Sequence, residues 1–175
     1  MNTLDILKYG HQTMIGAVEG IPEADWYTDG VCGVWSVKDI IAHLASFEFL
    51  LIDVLHSFLD DDPTPTLDRF NANAQQFNDD EVGWRRDKTV QEVWDEYEAA
   101  YKQTLALMAQ IPVNTRCANG ALPWYGAQYS LEDFIVYSFY GHKREHSAQI
   151  NVFQDQLAAI TIQASLEQPG AKLVS

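Results

Sequence analysis

Five histidines are the residues best suited to chemistry in this chain, and two of them, His142 and His146, stand four apart in "FYGHKREHSAQI". A helix offsets such a pair by about 40° around its axis and about 6 Å along it, so both imidazoles can reach one metal ion. His43, in "IIAHLASFE", is a third candidate if its helix faces theirs. Three neutral imidazoles leave coordination positions open, as catalytic metal sites do and closed structural sites do not. The competing reading is that these are core histidines satisfied by hydrogen bonds, and spacing alone leaves both readings open.

Other chemistries fit less well. The residues 142–146 also spell HxxEH, but an inverted-zincin site needs a further glutamate ligand on a helix well downstream. The chain ends soon after His146, and the sole glutamate beyond it is Glu167. A di-iron carboxylate bundle uses inward Glu-x-x-His pairs, and none occurs here. Nothing suggests a serine or cysteine nucleophile beside a base.

Four long amphipathic segments must position the histidines. The first runs from Leu4 to about Val18 and stops near Gly20 and Pro22. Ser36 and Asp39 in "WSVKD" cap a second, roughly Val37 to Leu59, whose stripe carries Ile40, His43, Phe47, Leu50 and Val54. "DDDPTPT" ends it, and a polar, weakly periodic stretch follows as a short helix or ordered crossover. Thr89 and Glu92 form a capping box for the third helix, to about Ile111. Ser130 caps the fourth, Leu131 to about Ile160, whose inward stripe carries Ile135, Phe139, His142, His146, Gln149, Phe153 and Leu157. His11 falls near the inner face of the first helix, as a core or rim residue, and His56 lies off the His43 stripe. Without alternating strand patterns or a phosphate loop, the expected fold is all-α: four helices around one core, in a single domain over 1–165 with a flexible tail at 166–175.

Composition narrows the partners. The chain of 175 residues has a hydrophobic fraction of 47% and an aromatic fraction of 12%, as a chain with a packed core requires. Acidic residues outnumber basic ones 25 to 11, for a net charge of −14, which repels phosphate backbones and anionic membranes. The basic "WRRDK", Trp84 to Lys88, reads as a solvated turn. Neither nucleic acid nor membrane is expected as a partner. Cys32 and Cys117 are too few and too far apart for a disulfide framework and read as buried thiols, with a reducing cytoplasm as the location. The N-terminus lacks the pattern of a signal peptide, and no apolar run approaches the ~18 residues of a membrane span.

"GVWSVKDIIAHLASFE", Gly33 to Glu48, resembles the second-helix motif of the DinB-like four-helix proteins, and "GHKREHSAQI" resembles their last-helix motif. "ALPWYGAQYSLEDFI" is similar to the loop entering that helix in the branch of the colibactin self-protection protein. The resemblance runs from the first helix to about Phe153. It implies a four-helix bundle in up-down-down-up order with a long crossover between helices two and three. It also implies that one histidine of helix two and two of helix four hold a divalent transition metal, nickel, zinc or iron, at positions matching His43, His142 and His146. Nitrogen donors suit all three metals.

The resembling family includes thiol-dependent transferases and isomerases and an enzyme that opens an electrophilic cyclopropane, while some members lack the triad, so the fold does not fix the reaction. The expected function is metal-assisted attack by a thiolate or water on a small electrophilic substrate, as a transferase or hydrolase, with a low-molecular-weight thiol as co-substrate. No basic cluster stands ready for the carboxylates of glutathione. Phe47 and Phe139 are expected to line the pocket. Asp39, one turn before His43, is either a partner for an imidazole N–H or an ordinary first-turn acid. Trp124 and Tyr125 are either a lid or core packing. The alternative function is a non-catalytic bundle that sequesters a small molecule, or a structural dimer; homodimers are common in the resembling family.

Overall fold

The structure is a computed structural model that describes residues 2–60 and 62–167. It is all-α, with no strand among the described residues. Four long elements carry the architecture: α1 (Thr3–Val18), α2 (Val37–His56), α5 (Val90–Met108) and α8 (Gly141–Glu167). Each start is written locally. Asn2 accepts from Leu4 N–H at the head of α1, and capping boxes of Ser36 with Asp39 and Thr89 with Glu92 open α2 and α5.

Cross-helix pairs give the directions. Thr3 meets Glu132, Tyr9 meets Tyr140 and Ala17 meets Gln154, so α1 runs alongside α8 in the same sense. Lys38 donates to the Arg86 carbonyl and Thr104 to Glu48, so α2 and α5 are also parallel. His43 faces His146 while Phe47 faces Phe139, which sets α2 antiparallel to α8. The order is up-down-down-up.

The polar crossover folds into two short helices, α3 (Pro65–Ala72) and α4 (Ala74–Trp84). Asp53 of α2 accepts from the free N–H groups of Thr66 and Leu67 at the start of α3. Glu81 and Arg85, both buried, bind each other; Arg69 reaches Glu81, and Glu96 of α5 receives Arg85 and Lys88. The "WRRDK" segment is a turn as expected, but Arg85 is buried in this network rather than solvated. The cysteines differ too. Cys32 is half-buried, and Cys117, just after the one-turn helix α6 (Val113–Arg116), is exposed.

The last helical stretch is less regular than its sequence suggests. Ser130 and Asp133 cap α7 (Leu131–Ile135), a π-helical turn covers Val136–Tyr140, and α8 follows. It continues beyond Ile160 to Glu167, which takes in the first two residues of the tail expected at 166–175; the rest of that tail lies outside the described residues. No helix among the described residues is long and apolar enough to cross a membrane.

The interior is two apolar clusters with a polar layer between them. One gathers Leu50, Leu51, Leu55, Met108, Phe134 and Phe139; the other gathers Met14, Ile40, Ile41, Tyr97, Ile150 and Phe153. Each long helix buries polar side chains, among them His11, Glu48, Thr104 and Lys143, and Glu48 joins Thr104 and Lys143 across the interior. The candidate ligands sit at that same level.

Candidate metal centre

Helices α2 and α8 bring three imidazoles to one point. His43 Nε2 lies 2.8 Å from His142 Nε2, which lies 2.9 Å from His146 Nε2. His43 and His146 are buried and His142 is half-buried. The π turn immediately precedes this site: the Gly141 N–H reaches the Val136 carbonyl, five residues back. An extra residue in a turn rotates all that follows, and π turns of this kind recur at functional sites.

The donor set fits a divalent cation. The three nitrogens lie close enough for one ion to touch all of them at the usual ~2.0–2.1 Å. Hydrogen bonding alone does not satisfy them. Each ring nitrogen carries either one proton or one lone pair, so His142 Nε2 can make one full hydrogen bond and meets the other neighbour only through a weaker shared proton or in opposition. A cation facing three lone pairs removes that conflict.

Protonation favours the same state. Burial pushes His43 down to about 2, helped by the neighbouring His142 and His146, and pushes His142 down to about 3. His146 is also lowered by burial, against the pull of Gln149. All three are therefore neutral near pH 7, the form that ligates. Gln149 Oε1 accepts from His146 Nδ1 at 2.8 Å, which leaves Nε2 as the lone-pair nitrogen. His43 Nδ1 is buried with no hydrogen-bond partner among the described residues.

Aromatic rings pack around the triad. Phe47 lies 4.8 Å from the His43 ring and 4.5 Å from His142, and Trp35 lies 4.9 Å from His43. Phe139 is fully buried behind Phe47 at 6.3 Å. A cleft of about 520 Å³ opens onto the histidines, with Phe47, Asn78, Tyr137 and Glu145 among its walls.

The remaining expected residues are placed elsewhere. Asp39 Oδ2 accepts from the Ser36 N–H and hydroxyl, so it serves the cap of α2, and Gln149 is the side chain that orients an imidazole. Trp124 packs on Phe134 and Tyr125 and is separated from Phe47 by Phe134 and Phe139. His11 belongs to the core. Its Nδ1 meets the Tyr97 hydroxyl, Nε2 meets Glu98 at 2.9 Å, and its ring stacks on Tyr101. Burial pushes it down to about 4, with the positive charges of Lys143 and Lys102 adding to the effect. His56 pairs with Asp60 at the end of α2.

Two features escaped sequence reasoning. Lys143, between the two candidate ligands on α8, is buried and forms an ion pair with Glu48 of α2, which also accepts from Thr104 at 2.8 Å. Lys143 follows Phe139 and precedes Ser147 by four residues, so the inward period could have revealed it. Asn78 of α4 gave no such signal, because the crossover has too few apolar residues to show a period.

The family model described as the mycothiol maleylpyruvate isomerase N-terminal domain matches residues 7–135. No curated protein and no solved structure matches the chain. The matched span includes His43 and ends before His142 and His146, so the triad stands on the geometry of α8 and not on the match. With most of its length matched, and with the all-α fold found above, the chain belongs to the mycothiol maleylpyruvate isomerase N-terminal domain family, within the DinB-like superfamily.

Proposed function

We propose that the protein is a metal-dependent enzyme, a thiol-dependent transferase or hydrolase of a small electrophilic substrate, with His43, His142 and His146 holding nickel, zinc or iron. The observation that supports this reading is the convergence of three Nε2 atoms beside an open cleft that His43 and His142 line. When bound, such a metal supplies Lewis acidity that makes a thiol or water a nucleophile near neutral pH.

The chain's own residues prepare the place. Gln149 fixes the His146 tautomer, burial keeps the imidazoles neutral, and Phe47 with Phe139 excludes water behind them. Neither Cys32 nor Cys117 lines the cleft, so a nucleophilic thiol would enter from solution. The family's name joins mycothiol to an isomerase, which adds a thiol-dependent isomerisation to the reactions worth screening.

The test is thiol consumption against a panel of small electrophiles by metal-loaded protein and by His43→Ala, with circular dichroism as the check on folding. Turnover that falls at least about a hundredfold in a folded variant supports the proposal, given the cost of losing a first ligand. Unchanged turnover in His43→Ala, or binding of electrophiles without turnover, overturns it in favour of a sequestering bundle.

A further inference from the structure

The crossover helix α4 is held more firmly than a connection requires. Phe77 is buried against Phe47 and Phe70, with ring centroids 6.1 and 5.5 Å away, and Glu81 one turn later is locked between Arg69 and Arg85. Between these anchors, Asn78 stands in the wall of the histidine cleft. Its side-chain amide makes no hydrogen bond to the described protein, and Oδ1 is buried without a partner. A polar atom in that state is costly in a folded protein unless something else satisfies it. The terminal torsion of asparagine is soft and roughly two-fold, so either end of the amide can turn toward the cleft.

The charges around it restrict what can bind. The cleft wall contains the carboxylate of Glu145 and no lysine or arginine. The chain as a whole carries −14. With the metal's charge met in part by the ligand's thiolate, a carboxylate reaching Asn78 would face Glu145 with no lysine or arginine in the cleft wall to offset it, and would offer Asn78 acceptors alone. A hydroxyl or an amide both donates and accepts, and so satisfies either end of the Asn78 side chain.

Resting on the reading of this cleft as the substrate site, we infer that Asn78 is its specificity residue. It selects a small uncharged ligand through a hydroxyl or amide group, while Glu145 turns anions away. Phe47 and the histidines then receive the ligand's other end.

The experiment uses the zinc-loaded full chain and three thiols of similar size: 1-thioglycerol, which is neutral and carries hydroxyls; propanethiol, which lacks them; and 3-mercaptopropionate, an anion. Dissociation constants are read from two-dimensional NMR titrations, with the Asn78 side-chain amide signal, identified by its loss in Asn78→Ala, as the local reporter. The expected result is that thioglycerol binds about tenfold more tightly than propanethiol, the scale of one good hydrogen bond. That ratio should collapse toward one in both Asn78→Ala and Asn78→Leu while propanethiol affinity is unchanged. Glu145→Gln should tighten mercaptopropionate alone.

Equal affinity for thioglycerol and propanethiol in the wild type, or a ratio that survives both Asn78 variants, overturns the inference. Zinc content measured on the same samples separates this from the metal proposal. A preference for thioglycerol that depends on Asn78 in protein that takes up no zinc supports the inference and removes the metal. Stoichiometric zinc with no hydroxyl preference does the reverse.

Discussion

The ion pair between Lys143 and Glu48 gives the most quantitative prediction. Both side chains are almost wholly removed from solvent, and among the described residues Glu48 has Thr104 as its second partner. Lys143→Met deletes the positive charge and leaves the carboxylate buried with one hydroxyl donor. Breaking a buried pair from one side costs about 3–5 kcal/mol, because the surviving charge is uncompensated. For a chain of this size each kcal/mol moves Tm by about 2–4 °C, so the drop is about 6–20 °C. Replacing both partners, as Lys143→Met with Glu48→Leu, removes the stranded charge and should recover most of the loss. The assay is calorimetric melting and urea unfolding of metal-free protein, so that ligand linkage does not enter. Two single-variant losses that simply add in the double variant, or a Lys143→Met cost below about 1 kcal/mol, would refute the reasoning, since coupled neighbours must deviate from additivity.

Other outcomes follow from the same structure. His11 is held near 4 against 6.5 unfolded, so between these values the unfolded chain binds more protons; its contribution is complete above about pH 6.5 and is lost as pH falls toward 4. His11→Phe should therefore lose less stability than wild type between pH 7 and pH 4, by up to about 3 kcal/mol, checked by urea midpoints at both. Gln149→Ala should weaken metal binding about 10–100-fold in chelator competition with little change in the fold, because the His146 tautomer is no longer fixed. Ser130→Ala should cost about 1 kcal/mol through loss of the cap that starts α7, measured by the urea midpoint.

The helix starts were legible because their determinants are local. Ser36, Thr89 and Ser130 cap where their spacing to Asp39, Glu92 and Asp133 says they should. The histidine stripe was legible for a similar reason: inward period on α2 and α8 puts His43, His142 and His146 on facing sides. The crossover was not, since α3 and α4 are fixed by Asp53, Glu81, Arg85 and Glu96, which come together only in three dimensions. The π turn inserts a residue without changing composition, so a sequence stripe drawn straight through Val136–Tyr140 hides it. Asp39 shows the ambiguity of a short acid before a histidine, where cap and ligand partner read alike. Lys143 and Glu48 were passed over because each charge alone reads as surface, and only together can they be buried.

The central claim is that the three histidines hold a metal, and it is tested most directly by elemental mass spectrometry of protein purified without a histidine tag, beside His142→Ala. About one equivalent of zinc, nickel or iron per chain, lost in the variant, is the predicted result. Absence of metal from both samples after divalent ions are supplied, or equal metal in both, would contradict it.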